Sequence, residues 1–496
     1  MSHHLPAGRL PGELEQRTRG GGTVSTANGT DLYAPEEAPR KKPTRRWVEL
    51  LLLILAWSIG LLGTVQIGWV TGEGMTTRLW VTAGVVGGLA LTMHIVIRIW
   101  AKYADPILLP VATLLTMLGL LMIYRIDVAA ARRAVLSDAP EPTPDVYSQL
   151  TWYAVATILF VAVIVLLQDH RRLARYTYTF GLAGLVLLVL PLAPVIGTTV
   201  NGATLWIRIG DLSFQPAEAA KILLVIFFAG YLVAKRDSLA VVRTKFLGIE
   251  LPRPKDLGPL VIAWLISLAV LVFERDLGTS LLFFGLFVAM LYIATQRRTW
   301  IFLGGLLFLA GAAAAYYNFS HVRSRVTVWL DPWAYADTGG YQIVQSIYGL
   351  ANGGVLGAGL GQGFPNLVPF AKTDFIVAAL GEEIGVTGLF AVVMLYAILI
   401  ERGLRTAVSV RDAFGQLLAA GLSIVLAIQV FVIIGGVTGL IPLTGLTTPF
   451  LSYGGSSLVA NWVIVAILLR ISDRARRPET VAPSPDDAMT QVVRTV

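Results

Sequence analysis

The sequence predicts an all-α protein that crosses a membrane many times. Hydrophobic residues make up 55% of the 496 residues and charged residues only 14%, whereas about a quarter of the residues in a soluble domain are charged. The apolar residues form continuous segments rich in Leu, Val and Ala, without the alternating pattern of a transmembrane barrel. A helix needs roughly 20 such residues to cross a bilayer. These observations together indicate a polytopic helical membrane protein.

About twelve segments are long and apolar enough to be transmembrane helices. In chain order they are 47–69, 78–99, 106–124, 149–168, 176–197, 217–233, 257–274, 279–294, 299–317, 384–401, 414–438 and 449–471.

The basic residues are distributed unevenly between the connections. If the N-terminus lies inside, the clusters at 40–46, 171–175, 235–255 and 402–411 all fall on the inner side. Lys and Arg are enriched in cytoplasmic loops, so both chain ends are predicted to be cytoplasmic and the number of spans to be even. The net charge of +8 is explained by the basic residues of these inner connections, and it does not indicate nucleic-acid binding.

The two ends of the chain differ from its middle. Residues 1–46 are basic and rich in Gly and Pro, and residues 472–496 also lack apolar periodicity. Both are predicted to be disordered cytoplasmic tails. The first apolar segment is too long for the core of a cleaved signal peptide. The chain has no cysteine, which excludes disulfides and thiolate metal ligands.

Residues 318–383 form the one long polar, Gly-rich and charged connection between apolar segments. Such long connections in compact proteins are usually functional. An apolar patch at 341–350 predicts a short helix at the membrane interface. The loop gathers charges of both signs from Arg323, Arg325, Lys372 and Asp374. We therefore expect the active site here, on the outer side of the membrane.

Asp374 lies where this loop returns to apolar sequence, in AKTDFIVAALGEE. A general base requires a positioned and partly desolvated carboxylate, which fits this place. The alternative is that Thr373 or Asp374 caps the helix that follows. Glu382 and Glu383, further along, are expected to support the site or to pair with outer arginines.

Arg323 and Arg325 follow a predicted span. Guanidinium groups bind phosphate in a bidentate manner, so the two residues are candidates for a diphosphate clamp. The alternative is that they extend to lipid headgroups without a specific role. The glycines at 353–363 do not indicate a nucleotide site, because no predicted strand precedes them.

Two further groups of charges lie at predicted helix ends. Glu218 and Lys221 are three residues apart and are expected to share one helix face, as a structural ion pair or as part of the site. Glu274 and Asp276 occupy the tight hairpin FERDLGTS. They are either exposed at the headgroups or face a cavity, as cation ligands or as partners of Lys221 and Arg323.

Five segments together resemble the SEDS proteins (shape, elongation, division and sporulation). They are QPAEAAK, DLGTS, GGYQIVQS, TDFIVAALGEE and PFLSYGGSS, and the resemblance covers residues 105–471. It is strongest to the rod-shape branch, RodA, in an actinobacterial form, and the division branch, FtsW, is the alternative. The resemblance implies a ten-span core, preceded by two extra N-terminal transmembrane helices within 47–104.

The resemblance also implies a function. It implies a peptidoglycan glycosyltransferase that polymerises lipid II into β-1,4-linked strands during cell elongation, at the outer face of the bacterial plasma membrane. The strand is linked to undecaprenyl diphosphate, which is released, and the implied partner is a class B penicillin-binding protein. No nucleotide or organic cofactor is expected. A divalent cation, Mg or Mn, is a candidate cofactor, with Asp374 and Asp276 as candidate ligands.

Site residues follow from the same resemblance. The invariant loop aspartate of the family falls on Asp374, the implied catalytic base. Many members have a basic residue before the tryptophan where this chain has Leu205, so Arg208 is a candidate replacement. The candidates for substrate and diphosphate binding are Lys221, Arg323, Arg325, Lys372, Trp206 and Arg208. The candidates for a supporting role are Glu218, Glu274, Asp276, Glu382 and Glu383.

Two other classes of function remain as alternatives. A lipid II flippase would use the same cations and a cavity within the membrane, but would not need Asp374 as a base. A scaffold that only activates the crosslinking partner would be insensitive to the polar residues of the cavity. The sequence shows no obvious inverted repeat of the kind found in many transporters, and the long charged loop favours an enzyme.

Overall fold

The computed structural model describes residues 44–193, 196–200, 203–209, 212–240, 244–246, 249–251 and 254–478. Most of the two predicted tails lies outside these residues. Helix α15 continues to Arg476, which is past the predicted start of the C-terminal tail at 472.

Fifteen helices and five short strands make up the described part of the chain. The helices are α1 (Arg46–Val70), α2 (Thr77–Trp100), α3 (Leu108–Leu136), α4 (Asp145–Leu166), α5 (Arg171–Ala174), α6 (Thr177–Val189), α7 (Pro216–Ala240), α8 (Pro254–Phe273), α9 (Leu277–Thr295), α10 (Thr299–Asn318), α11 (Ser320–Leu330), α12 (Tyr341–Gly353), α13 (Ile376–Ser409), α14 (Ala413–Val437) and α15 (Gly455–Arg476). The strands are β1 (Gly197–Val200), β2 (Ala203–Ile209), β3 (Leu212–Phe214), β4 (Thr244–Phe246) and β5 (Ile249–Leu251).

The predicted all-α polytopic fold is confirmed. Each of the twelve predicted spans overlaps one helix of the structure. Within the described residues, ten helices have the length and apolar composition to cross a membrane, namely α1–α4, α7, α9, α10 and α13–α15. The shorter α6 and the helix α8 account for the other two predicted segments. The chain is therefore a multi-pass membrane protein.

Four helices form the centre of the bundle. The most apolar stretches of α3 and α15 are each 89% buried, and those of α7 and α14 are 78% and 72% buried. The corresponding stretch of α10 is only 11% buried, so α10 lies at the periphery. Between α4 and α15, the ring of Trp462 packs against Tyr153, Phe160 and Phe450.

The predicted span 449–471 begins later than the sequence indicates. Residues 449–454 form a loop in which Phe450 has a φ of 66°, and α15 starts only at Gly455. The loop lies directly on α3, because a Cβ at Gly119 would collide with the backbone of Leu451. This close approach fixes a segment that reaches the candidate site described below.

Buried polar contacts join the N-terminal helices α1 and α2 to the core. Arg46 pairs with Glu49 and also donates to the carbonyl of Ala104. The other carboxylate oxygen of Glu49 lies 2.7 Å from Nδ1 of His94 on α2. At the opposite end of α1, Val70 packs on Gly361 of the long loop.

The connection 198–216 contains a small antiparallel sheet that the sequence analysis did not predict. Strand β2 pairs with both β1 and β3, with Trp206 opposite Thr198 and Arg208 opposite Ser213. In β2, Ile207 is buried and the next residue, Arg208, is exposed, as expected for a half-buried strand. Within 318–383, α12 contains the predicted interfacial helix at 341–350.

Candidate active site

A cavity of about 650 Å³ lies where the long loop meets the helix ends. Its walls come from α4, β2, α7, α11, α12, the segment before α13 and the segment between α14 and α15. Of the sequence-predicted site residues, four line this cavity: Asp374, Arg325, Glu218 and Trp206. Leu205, at the position where the family often has a basic residue, lines it as well.

Asp374 lies just before α13 and is half-buried. Burial, and to a lesser degree the charge of Asp276, raise the pKa of its carboxyl group to about 6. A hydrogen bond from Thr373 and the charge of Arg325 oppose this shift. The result is a carboxylate that is ionised at neutral pH but is far more basic than an ordinary Asp. These are the properties that a general base needs.

Arg325 extends from α11 to the same cavity. Its Nη1 donates to the carbonyls of Leu443 and Thr444, at 3.0 and 2.9 Å. Burial lowers the pKa of this guanidinium, whereas Asp276 and Asp374 raise it, and an Arg side chain stays charged in either case. The backbone contacts leave Nη2 directed to the space above Gly445, which Asp374 also borders.

Gly445 lies beside both charged groups. It has a φ of 79°, which favours glycine. A Cβ built there would lie 3.8 Å from Oδ2 of Asp374 and 4.0 Å from Nη2 of Arg325. Among the described residues, the two side chains form no ion pair within 4.0 Å. The space between a base and a cation is therefore open to a reacting molecule.

Glu218 and Lys221 form the ion pair that the sequence predicted, at 2.5 Å. Lys221 also contacts Oε1 of Gln429 at 3.1 Å and Oδ1 of Asn461 at 3.3 Å. Glu218 lines the cavity but Lys221 does not. The ammonium group of Lys221 therefore holds Glu218 in place. To contact a diphosphate, as predicted, Lys221 would have to exchange one of its three partners for the phosphate.

Asp276 and Glu274 lie near the cavity without lining it. Asp276 caps α9, where it accepts hydrogen bonds from the backbone and hydroxyl of Thr279, at 2.8 and 2.6 Å. Burial raises its pKa, and Thr279 and Arg325 oppose this. Burial and the charge of Asp276 raise the pKa of Glu274 to about 8, so Glu274 is protonated at neutral pH.

These contacts differ from one alternative in the sequence analysis, which paired Glu274 and Asp276 with Lys221 and Arg323. Lys221 pairs with Glu218 instead. Arg323 is exposed and donates to the carbonyls of Tyr316 and Tyr317 at the end of α10. Both carbonyls lie within seven residues of Arg323, so these contacts are local. Arg323 does not line the cavity. Its predicted phosphate contact stays a prediction.

Lys372 has two partners that the sequence analysis did not identify. Its Nζ lies 2.5 Å from Oδ1 of Asp127 and 2.7 Å from Oδ2 of Asp145. These hydrogen bonds and charges raise the pKa of Lys372 against the opposing effect of burial. Lys372 lines a neighbouring cavity, and Arg208 is exposed on β2 without lining the cavity of Asp374.

Glu382 and Glu383 support the glycine-rich part of the loop. Glu383 contacts Nε of Arg125 at 2.8 Å and accepts from the backbone of Gly361 at 3.0 Å. Glu382 accepts from Asn352 and from the backbone of Phe364, both at 2.9 Å. Arg125 is the arginine that pairs with Glu383. A single Arg at the end of an apolar segment was the signal that could have identified it.

The candidate metal ligands do not form a cluster. Both oxygens of Asp276 already accept hydrogen bonds from Thr279. In the part of the chain that the structure describes, there is no group of three or more His, Cys, Asp or Glu side chains that could hold a metal ion. Mg²⁺ often binds one or two carboxylates together with substrate phosphates, so the divalent cation stays a prediction for a metal-dependence assay.

The fold and the cavity define a polytopic membrane protein with a charged cavity at the ends of its helices. Residues 106–477 match the family model of the FtsW, RodA and SpoVE proteins, described as "Cell cycle protein". The chain belongs to this family, which confirms the resemblance seen in the sequence. The matched region begins after α2, so the two N-terminal helices lie outside it.

Named relatives agree with the family match. The chain is 50% identical to the peptidoglycan glycosyltransferase RodA of Mycobacterium tuberculosis H37Rv over 457 residues, which cover 92% of this chain and 96% of that protein. It is 50% identical to the RodA of Mycobacterium leprae over 88% of this chain and 92% of that protein. A probable peptidoglycan glycosyltransferase FtsW of Geobacter sulfurreducens KN400 is 34% identical over 75% of this chain and 96% of that protein.

Two solved structures share the fold. One belongs to a peptidoglycan synthase complex and has 28% identity and a TM-score of 0.59, covering 76% of this chain and 99% of that chain. The other is RodA of Thermus thermophilus, with 24% identity and a TM-score of 0.51, covering 76% of this chain and 98% of that chain. The second supports the fold alone.

Proposed function

We propose that the chain is a peptidoglycan glycosyltransferase that polymerises lipid II, most similar to the elongation branch of its family. The observation that carries this proposal is the position of Asp374, half-buried in a cavity opposite Arg325 with a pKa of about 6. Named relatives with 50% identity are peptidoglycan glycosyltransferases, which supports the same reaction for this chain.

In the proposed reaction, Asp374 accepts the proton of the 4-hydroxyl group of the N-acetylglucosamine of lipid II. The oxygen then forms a bond to the anomeric carbon of the lipid-linked strand, and the bond from that carbon to the diphosphate breaks. Attack from the opposite side inverts the carbon and gives the β-1,4 link. The bonding electrons leave with undecaprenyl diphosphate, and the proton remains on Asp374 until it is released to water.

Negative charge develops on the leaving diphosphate, so a fixed cation near it lowers the barrier. Arg325 is suited to this, because two backbone carbonyls hold its Nη1 while Nη2 borders the space next to Asp374. Its place is set before the substrate arrives, and little reorganisation is needed during the reaction. Glu218, held by Lys221, is the second carboxylate of the cavity and is suited to orient sugar hydroxyl groups.

The proposed setting follows from the substrate. A lipid-linked donor and acceptor require a site at the membrane surface, which the ends of transmembrane helices provide. We place both chain ends in the cytoplasm and the cavity on the outer side of the bacterial plasma membrane, because of the distribution of Lys and Arg. A class B penicillin-binding protein is the proposed partner, which is consistent with the similarity to a peptidoglycan synthase complex.

A reconstitution experiment tests the proposal against a flippase. The full chain and its proposed partner are placed in liposomes with fluorescent lipid II, and polymer and lipid translocation are measured separately. Glycan polymer from lipid II on the outer leaflet is the expected result. Translocation without polymer would support the flippase instead. If the chain gives neither polymer nor translocation and only activates crosslinking by the partner, the scaffold is supported.

A further inference from the structure

A second cavity of about 660 Å³ adjoins the catalytic one. Asp374 lines the catalytic cavity, Lys372 lines the second, and Thr373 between them lines both. Phe370 and Tyr453 also border both cavities. Residues 370–374 therefore form a shared wall, and an extended molecule that occupies one cavity can reach into the other.

The shared wall is held in place by the loop before α15. The backbone N–H of Tyr453 donates to the carbonyl of Lys372 at 2.7 Å, and the hydroxyl of Ser452 donates to the carbonyl of Thr373 at 2.6 Å. Phe370 has a φ of 55°, which a bulky residue adopts only where its surroundings impose it. The two cavities thus keep a fixed position relative to each other.

The charges of the second cavity do not suit a diphosphate. The ammonium group of Lys372 lies between the carboxylates of Asp127 and Asp145, at 2.5 and 2.7 Å. Lys372, Asp145 and the exposed Arg133 line the cavity, and the buried Asp127 contacts Lys372, so these four charges sum to zero. A dianionic group placed here would lie next to Asp145. This differs from the catalytic cavity, where Arg325 borders open space.

The lining does suit a neutral, polar chain of sugars. The amide of Asn366 can donate and accept hydrogen bonds. The hydroxyl groups of Ser137 and Tyr453 already donate, to the carbonyls of Arg133 and Ala134 and to Ser148, and keep lone pairs that can accept. The ring of Phe370, 49% exposed, provides a flat apolar surface. A few polar groups set among apolar and aromatic walls are typical of small-molecule sites of this volume.

We propose that this second cavity binds the sugar backbone of the growing glycan strand while its lipid-linked end reacts beside Asp374. The proposal rests on the proposed function. The acceptor carries one disaccharide and then its diphosphate, so only the strand has further sugars to place beyond the reacting unit. Exposed residues within 133–142 line the cavity, so the strand can leave along this segment. Arg133, Asn366 and Tyr453 then hold the strand between successive additions.

The test compares the doubly substituted Arg133→Ala, Asn366→Ala protein with Arg132→Ala. Arg132 is also exposed and lies on the same helix, but it does not line the cavity. The full chain, its partner and lipid II are incubated together, and strand length is read from a gel. The double variant is expected to make strands about tenfold shorter, because the loss of these hydrogen bonds weakens binding of the strand by about that factor. Consumption of lipid II is measured in the same reactions, and the lengths of the strands are compared at equal consumption.

A binding measurement separates this proposal from the proposed function. A soluble tetramer of N-acetylglucosamine is titrated into each detergent-solubilised protein and followed by saturation-transfer NMR. Binding about tenfold weaker in the double variant than in Arg132→Ala supports the strand site, even if no polymer forms under the assay conditions. Strands of unchanged length together with equal tetramer binding in all three proteins would overturn it. If the unsubstituted protein makes no polymer, this result counts against the proposed function and not against the strand site.

Discussion

Oδ2 of Asp374 and Nη2 of Arg325 border the same small space, 3.8 and 4.0 Å from the point where Gly445 would carry a Cβ. Three separate parts of the chain meet here: the segment before α13, the helix α11 and the segment after α14. The proposed reaction requires this space to be open, because the hydroxyl that loses a proton and the diphosphate that gains charge lie on its two sides.

Gly445→Leu is expected to reduce polymerisation at least about tenfold, because the side chain extends beyond Cβ into the space between Asp374 and Arg325. Positive φ alone costs an L-residue about 1–2 kcal/mol, so a control for strain is needed. Gly439→Leu provides it, since Gly439 has a φ of 73° and a Cβ there meets nothing within 4 Å. Both variants should melt at similarly lowered temperatures, and only Gly445→Leu should lose activity. Equal activity losses would indicate that strain, and not the filled space, is responsible.

The pH dependence should report on Asp374. Its carboxyl group must be ionised to accept a proton, so the polymerisation rate is expected to fall as pH drops through about 6. Arg325 lowers the pKa of Asp374, and Arg325→Gln should therefore move this fall to higher pH, besides slowing the reaction. A rate that stays constant from pH 7 to pH 5 would exclude Asp374 as the group that titrates.

The raised pKa of Asp374 also has a consequence for stability. A carboxyl group whose folded pKa lies above its unfolded value makes the folded state less stable as pH rises from about 4 to 6, and the loss persists at neutral pH. Asp374→Asn removes this loss. We expect about 1–2 kcal/mol of added stability at pH 7, less than the full shift because Asp374 is partly exposed to solvent. At pH 4 the difference between the two proteins should disappear, and thermal melting in detergent at both pH values measures it.

Lys221 and Glu218 should show strong energetic coupling. Lys221→Met leaves a buried carboxylate without its ammonium partner, which typically costs about 3–5 kcal/mol. The additional substitution Glu218→Gln removes the uncompensated charge and should restore much of the stability. A double-mutant cycle on thermal stability measures this coupling. Additive effects of the two substitutions would show that the 2.5 Å contact does not carry the energy expected of it.

Arg125 is predicted to order the glycine-rich loop. Its side chain contacts Glu383 and donates to the carbonyls of Gly361 and Gly363. Arg125→Leu should therefore raise amide hydrogen exchange in residues 357–363 and reduce polymerisation. Exposed Arg132, on the same helix, supplies the control variant Arg132→Leu. If exchange in this loop is the same in both variants, the loop is ordered by other contacts.

The sequence identified the residues of the candidate site better than it identified their partners. Asp374, Arg325 and Glu218 could be found because a charge next to a membrane-spanning segment needs a reason to be there. The Glu218–Lys221 pair was predictable because helical geometry brings residues three apart together. The apolar segments predicted the helices for a similar reason, since bilayer thickness fixes their length.

Contacts between distant segments were not predictable in this way. Lys372 is 245 residues from Asp127 and 227 from Asp145, so a local pattern could only place it beside Asp374. Arg323 and Arg325 were predicted to act together, but residues two apart on a helix lie on different faces, and only Arg325 reaches the cavity. The strands β1, β2 and β3 were missed because short strands between long apolar helices leave a weak signal.

The central claim is that Asp374 is the base of a lipid II polymerase, and one substitution tests it most directly. Asp374→Asn keeps the size of the side chain but removes its basicity, and Asp337→Asn, an exposed residue of the same loop, is the matched control. Glycan polymer from lipid II is measured for both, together with folding and partner binding. We expect no polymer from Asp374→Asn and normal polymer from Asp337→Asn, with both proteins folded and bound to the partner. Polymer of normal amount and length from Asp374→Asn would contradict the account.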